Sequence, residues 1–169
     1  MLTVHHLATS QSDRIVWLCE ELGIAFDLKR YERDPVTRLA PAEYRALHPI
    51  GTAPVIADGN LVLGESAAII DYIIHRHGQG GLAIAPGDAG YSDYLFWFHY
   101  ANGSFMPAAM LGLVAGMAAA AGSAAISALT QRLDRAWDMV EARLGESPYL
   151  AGADFTAAGP APVPVPIPV

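Results

Sequence analysis

His48-Pro49-Ile50-Gly51-Thr52-Ala53-Pro54-Val55-Ile56, followed by Leu63-Gly64-Glu65-Ser66-Ala67, is the stretch from which the fold can be read. It reads as a loop, a proline turn, a hairpin and then a helix that opens on an acid and a hydroxyl. Ala53-Pro54 stands where the loop must become a strand. Proline has no N–H and a fixed φ, so it fits only the start of a strand or an edge. X–Pro bonds give up most of the trans preference, which makes a cis bond available there. Such a bond turns the Ala53 backbone outward as an unpaired donor and acceptor. The N–H groups opening the next helix face the same way. Together they suit an extended, peptide-like ligand that carries a carboxylate.

Outward from that stretch, the first 78 residues alternate strand and helix. Leu2 to Leu7 is β-compatible, with Val4 and His6 on one face. Ala8-Thr9-Ser10-Gln11-Ser12-Asp13 is a polar turn made of cap residues. A helix is expected over about Ser12 to Leu22, because Ile15, Leu18, Cys19 and Leu22 fall at i, i+3, i+4 and i+7. Gly23 closes it. Ala25 to Lys29 is a second strand, so the first unit is β-α-β with parallel pairing. Pro41 to Leu47 suits a short helix with proline in its first turn. Pro54 to Ala57 and Asn60 to Leu63 are strands joined through Asp58-Gly59. Glu65 to His77 is a helix whose face is traced by Ala68, Ile69, Tyr72, Ile73 and Arg76, ended by Gly78. The order is β-α-β-α-β-β-α, parallel first and antiparallel second.

Gly78, Gly80, Gly81, Pro86 and Gly87 mark a break in the chain. We expect a first domain over 1–79, a linker over 80–87, an all-helical domain over 88–158 and a proline-rich tail over 159–169. Asp88 to about Met106 carries Tyr91, Tyr94, Phe96, Trp97, Phe98 and Tyr100, with Pro107 set to kink or restart that helix. Ala124 to Leu144 is amphipathic, through Ile126, Leu129, Leu133, Trp137, Val140 and Leu144, and Gly145 stops it. From Pro160 the prolines alternate with small apolar residues, a pattern that forms neither a helix nor a central strand.

Composition narrows the function classes. The net charge is -7, with no basic stripe to displace counterions from phosphates, which argues against nucleic acid. A single cysteine, Cys19, excludes an internal disulfide framework and any CxxC redox or zinc site. The N-terminus has no basic start and no long apolar core, so it does not read as a signal peptide. Ala108 to Ala128 is nearly uncharged, but it is built of alanine and glycine and is not read as a membrane span.

These residues resemble the glutathione S-transferase family. The matching features are Arg14-Ile15-Val16-Trp17-Leu18 with Glu20-Glu21-Leu22-Gly23, His48-Pro49-x-Gly51-x-x-Pro54, and Glu65-Ser66. The second half adds Trp97-x-His99-Tyr100 and Tyr149-Leu150-Ala151-Gly152-x-x-Phe155-Thr156. The resemblance spans roughly residues 1–158. It implies a thioredoxin-like N-terminal domain that binds glutathione and an all-α C-terminal domain that supplies a hydrophobic co-substrate pocket. It also implies a cytoplasmic detoxification enzyme working as a homodimer, with glutathione as co-substrate and no cofactor, metal, nucleic acid or membrane. Two departures stand out. Family members often carry a lysine where this chain has Thr52, which removes one contact to the glycine carboxylate of glutathione. After Ala157-Ala158 the family continues with an aspartate and further helices, whereas this chain turns to Gly159 and the proline repeat. The C-terminal domain therefore reads as truncated, with apolar faces on Ala124–Leu144 left open to association and a stability expected to be low.

Ser10 is the candidate that activates the glutathione thiol, four residues before Arg14, the spacing of serine-type members. A free thiol has a pKa near 8.5, and lowering it by about two units takes roughly 2.7 kcal/mol. A hydrogen bond from a hydroxyl to a charged acceptor contributes about 1.5–3 kcal/mol, and a helix N-terminus about 0.3–1 kcal/mol, so no general base is required. Ser12 or Thr9 are the alternatives, and Ser10 with Asp13 is also spaced like a capping box. Glu65 would take the ammonium of the γ-glutamyl end, and Ser66 its carboxylate. Thr52, Ala53 and Pro54 would hold the peptide backbone. Cys19 reads as a small core residue. Phe96, Tyr100 and Phe105 are either pocket or helix packing. The expected reaction is addition of the glutathione thiolate to an electrophilic, hydrophobic small molecule. The alternatives are a catalytically inactive glutathione-binding or interaction protein and a glutathione-dependent reductase or peroxidase.

Overall fold

The computed structural model describes residues 1–118 and 124–158, and its contacts separate a first unit, Met1 to Leu82, from a second that begins at Ala83. The proline-rich tail over 159–169 lies outside the described residues. The first unit has the expected thioredoxin-like order: β1 (Leu2–Leu7), α1 (Asp13–Glu21), β2 (Asp27–Tyr31), α2 (Ala42–Arg45), β3 (Val55–Asp58), β4 (Leu61–Gly64) and α3 (Ser66–Arg76). The strands form one mixed sheet in the order β2-β1-β3-β4. Parallel pairing joins β1 to β2, and antiparallel pairing joins β1 to β3 and β3 to β4.

The core follows from which strand is central. β1 is covered on both faces, so Leu2, Val4, His5 and Leu7 are all buried instead of alternating inside and outside. Ile15, Leu18 and Cys19 of α1 and Ile69, Ile73 and Ile74 of α3 supply one layer, each nearly free of solvent contact. Burial of each such aliphatic side chain contributes about 1.5–3 kcal/mol. On α3 the buried face is Ser66, Ile69, Ile70, Ile73 and Ile74. Ala68 and Arg76, expected on that face, are exposed, because the isoleucine pairs set the stripe one position away.

β2 lies two residues later than the expected Ala25–Lys29. Its ladder runs from Thr3↔Asp27 to Leu7↔Tyr31. The gain is the placement of Tyr31, whose ring meets Tyr44 edge-on at 5.0 Å and whose hydroxyl lies 2.9 Å from His5 Nδ1. The hairpin turn is likewise displaced by one, onto Gly59-Asn60, because Asp58 remains paired with Leu61. That register leaves the Asp58 carboxylate at the sheet end. His77 Nε2 sits 2.7 Å from Asp58 Oδ2, the Tyr72 hydroxyl donates to the same oxygen at 2.9 Å, and the Met1 ammonium lies 3.7 Å from Oδ1. Asp58 thereby ties the β-hairpin to the last turn of α3.

The second unit contains α4 (Tyr91–Tyr100), a π-helical turn (Ala101–Phe105), α5 (Met106–Ala118) and α6 (Ala124–Glu146). The π turn precedes Pro107, whose missing N–H and ring conflict with a regular turn, so the helix continues instead of breaking. Gly112 lies directly against the Leu133 side chain, letting α5 and α6 approach closely. Arg143 joins three segments: it donates to the Leu150 carbonyl at 2.8 Å and pairs with Asp93 at 2.6 Å. Met110, Leu113 and Val114 of α5 and Trp137, Met139 and Leu144 of α6 are exposed, as expected for Leu144 and Trp137. No described helix is long and apolar enough to cross a membrane.

The hydrogen bonds from His77 and then Tyr72 hold the Asp58 carboxyl below the usual aspartate range. A depressed folded-state pKa contributes stability that is present above the unfolded value of about 3.9 and is lost as pH falls through the folded one. Asp58→Asn should therefore flatten the acid limb of unfolding free energy against pH, measured by denaturant titration between about pH 6 and pH 2. Equal acid limbs in variant and wild type would refute this role.

Candidate functional site

Three loops of the first unit carry the expected residues. The first joins β1 to α1. Ser12 is fully buried. Its Oγ accepts the Leu7 N–H at 3.0 Å and lies 2.7 Å from Ser10 Oγ, 3.0 Å from His6 Nδ1 and 3.2 Å from the Leu7 carbonyl. Ser10 is half-buried; its Oγ donates to the Leu7 carbonyl at 2.7 Å and accepts the Ser12 N–H at 3.1 Å. Neither hydroxyl caps α1, whose N-cap lacks a side-chain hydrogen bond. The Asp13 N–H meets the Ser10 carbonyl instead. Thr9 is exposed with a left-handed φ of 53°, a conformation uncommon outside glycine. Arg33 holds this loop from below: Nε donates to the Ala8 carbonyl at 2.9 Å and Nη2 to the Thr9 carbonyl at 3.2 Å. Sequence reasoning missed Arg33, since a lone arginine in a polar stretch has no spacing signal.

The second loop contains the Ala53-Pro54 bond, which is cis. Strand pairing starts only at Val55, opposite His5 and Gly64, so Ala53 stands outside the ladder. Pro54 is buried, Ala53 half-buried and Thr52 exposed. Under the loop, Leu7, Tyr44 and Val55 form a closed cluster against which Ala53, Tyr31 and Leu47 pack. The Tyr44 hydroxyl donates to the His5 carbonyl at 3.2 Å, and burial pushes its pKa up to about 12. This tyrosine was also missed, because four helical residues give no periodicity.

The third loop is the start of α3. Glu65 is exposed and has a left-handed φ of 70°, so a non-glycine residue is held in a costly conformation at the helix entrance. Ser66 is buried, and its hydroxyl donates to Gln11 Oε1 at 3.2 Å. That bond connects the α3 start to the Ser10 loop. Gly64 connects it to the His48 loop: a Cβ there would lie 3.2 Å from both His48 Nδ1 and Ile50 Cγ2. Ser10, Gln11 and Ser66 are thus brought together, with the Ala53-Pro54 turn beside them across β1 and β3. The arrangement can offer an anion the N–H groups of a helix start, an extended backbone the free edge at Ala53, and a charged acceptor the Ser10 hydroxyl.

In the second unit the aromatic group divides. Phe105 meets Trp137 edge-on at 4.7 Å and belongs to helix packing. Phe96 and Tyr100 stack at 5.5 Å. With Leu95, His99, Gly103 and Ser104 they line an open depression of about 520 Å³.

The family model described as "Glutathione S-transferase, N-terminal domain" matches residues 9–76. Glutathione S-transferase 3 of Schizosaccharomyces pombe is 30% identical over 173 residues, covering 95% of this chain and 71% of that protein. A crystal structure of a glutathione S-transferase from Actinobacillus pleuropneumoniae superposes with a TM-score of 0.82 at 33% identity, covering 94% of this chain and 73% of that one. A theta class glutathione S-transferase from Xanthomonas axonopodis pv. citri, solved with glutathione bound, has a TM-score of 0.70 at 25% identity, covering 94% and 77%.

Cys19 is fully buried, and burial pushes its thiol up to about 12. A neutral, enclosed thiol is a poor nucleophile. At neutral pH it should resist maleimide until the chain is unfolded, then label completely, as mass spectrometry would read. Rapid labelling of the folded protein would contradict the core placement.

Proposed function

The chain belongs to the glutathione S-transferase family, and from that premise we propose that it transfers the glutathione thiolate to an electrophilic, apolar small molecule. The observation that carries the reading is the joining of the Ser10 loop to the α3 start by the Ser66–Gln11 hydrogen bond, with the cis Ala53-Pro54 turn alongside. Glutathione would lie extended along Ala53 and Pro54. Its γ-glutamyl carboxylate would meet Ser66 and the helix start, its ammonium Glu65, and its glycine end the side of Thr52. Ser66 is supported by its position at the first residue of α3, where helix N–H groups favour an anion.

Ser10 would stabilise the thiolate by donating its hydroxyl proton. The Ser10 hydroxyl donates to the Leu7 carbonyl, so activation exchanges a neutral acceptor for a charged one, a stronger hydrogen bond by roughly twofold. The electrophile would be apolar; the second unit, taken by itself, carries an open depression lined by Leu95, Phe96 and Tyr100. Supply of reduced glutathione points to a cytoplasmic setting. The exposed apolar side chains of α5 and α6 support a homodimer, which sedimentation would detect; a monomer at every concentration would overturn it.

Two measurements test the reading. The protein should be retained on immobilised glutathione and should turn over a chromogenic aryl halide. Retention without turnover points to a binding protein, turnover of hydroperoxides alone to a peroxidase, and loss of both rejects the family chemistry for this chain. Ser10→Ala should raise the pKa of bound glutathione by about two units, read from thiolate absorbance against pH, with little change in affinity. An unchanged titration would remove Ser10 from the mechanism.

A further inference from the structure

Behind Ser10 the structure holds a chain of hydrogen-bonding groups that none of the reactions considered above uses. His6 Nδ1 lies 3.0 Å from Ser12 Oγ, and Ser12 Oγ lies 2.7 Å from Ser10 Oγ. Asp13 Oδ1 lies 3.6 Å from His6 Nδ1. Ser12 is fully enclosed, so no solvent competes for its hydroxyl. We propose that His6 is a positioning residue: through Ser12, a proton on its Nδ1 sets the direction in which the Ser10 hydroxyl donates. The proposal rests on the reading of Ser10 as the group that faces the thiol.

Counting protons gives the direction. A serine hydroxyl has one proton to donate and two lone pairs. Ser12 Oγ spends one lone pair on the Leu7 N–H. When His6 carries its proton on Nδ1, that N–H takes the second lone pair. The Ser12 proton then goes to Ser10 Oγ at 2.7 Å and not to the Leu7 carbonyl at 3.2 Å, which the Ser10 hydroxyl already holds at 2.7 Å. Ser10 already accepts the Ser12 N–H, so both of its lone pairs are filled. Its own proton is left to donate, as it does to the Leu7 carbonyl, and a thiolate at the site would take it over. Every bond then runs the same way, from His6 through Ser12 to Ser10, and hydrogen bonds aligned in this manner strengthen one another.

When Nδ1 is bare, the order reverses. Two acceptors cannot share the 3.0 Å contact between His6 and Ser12, so Ser12 must donate to the imidazole. The 2.7 Å contact between the serines is then held by the Ser10 proton, which points inward and is lost to the ligand. The carboxylate of Asp13 decides between the two arrangements. It is an acceptor only, and beside Nδ1 it favours the form with a proton there. The neutral Nδ1–H tautomer is all the relay requires. The relay transfers no proton; it orients hydroxyls that are already there.

Imidazole ¹⁵N NMR of the intact chain, labelled at histidine, reads the tautomer directly. Saturation with glutathione should show His6 protonated at Nδ1, with the resonance assigned by its loss in His6→Asn. A bare Nδ1 in the glutathione complex overturns the proposal. The thiolate titration supplies the second arm. Ser10→Ala is its control: if the bound thiol titrates as in the wild type, the Ser10 reading fails whatever His6 does. With that control raised, His6→Phe should lower the thiolate-to-thiol ratio by about tenfold. His6→Asn, which keeps a donor near the Nδ1 position, should recover most of that loss, and His6→Phe should add nothing to Ser10→Ala. A wild-type titration in a folded His6→Phe protein overturns the proposal. If that variant does not fold, the NMR result decides.

Discussion

The Ser12 hydroxyl sits in the closed corner where β1 stops and the chain turns toward α1. It takes the Leu7 N–H that the sheet no longer pairs, and it contacts Ser10 and His6 at the same time. A buried N–H left without an acceptor costs about 1–3 kcal/mol, so this one group fixes the path of residues 8–12. The rest of the candidate site depends on that path. Gln11 is carried to Ser66, Ser10 to the rim, and Asp13 to the first turn of α1. Arg33 pins the carbonyls of Ala8 and Thr9 from the opposite side. A loop of this length is ordinarily mobile; here side chains from three directions hold it.

How much of this was legible in the sequence depends on the range of the interaction. Elements with a clear period lie close to their expected positions: α1, α3 and α6 follow from apolar spacing, and β1 from a short β-compatible run. The Ala53-Pro54 turn was legible because proline restricts its own backbone. β2 was misplaced by two residues, since its exposed residues carry no alternation and its position is set by Tyr31 reaching Tyr44 and His5. Tyr44, Arg33 and His6 were not legible as site residues. Tyr44 and Arg33 act across separations that only the folded sheet closes, whereas His6 reaches Ser12 and Asp13 around the turn after β1, at a spacing that belongs to neither helix nor strand. By sequence Ser12 reads as a thiol activator or a cap; its complete burial makes it an anchor for Ser10.

The second unit shows the same contrast. Its long helices were plain in the sequence, while the π turn ahead of Pro107 was not, because proline signals a disruption without saying how the backbone resolves it. The run Tyr149 to Thr156 acquires a physical meaning: Tyr149 and Gly152 pair with each other, Phe155 packs on Tyr149, and the Thr156 hydroxyl accepts the Ala158 N–H. Arg143 and Asp93 then lock this segment to α4 and α6. Met110, Leu113 and Val114 of α5 and Trp137, Met139 and Leu144 of α6 present apolar side chains to solvent.

The Ser10 loop, the Ala53-Pro54 turn and the α3 start would act as one glutathione platform. A crystal structure of the chain with glutathione bound would decide this. The glutathione sulfur should lie within hydrogen-bonding distance of Ser10 Oγ, with the peptide backbone paired with Ala53 and the γ-glutamyl carboxylate on Ser66. A sulfur turned away from Ser10, or glutathione seated outside these three loops, would contradict it.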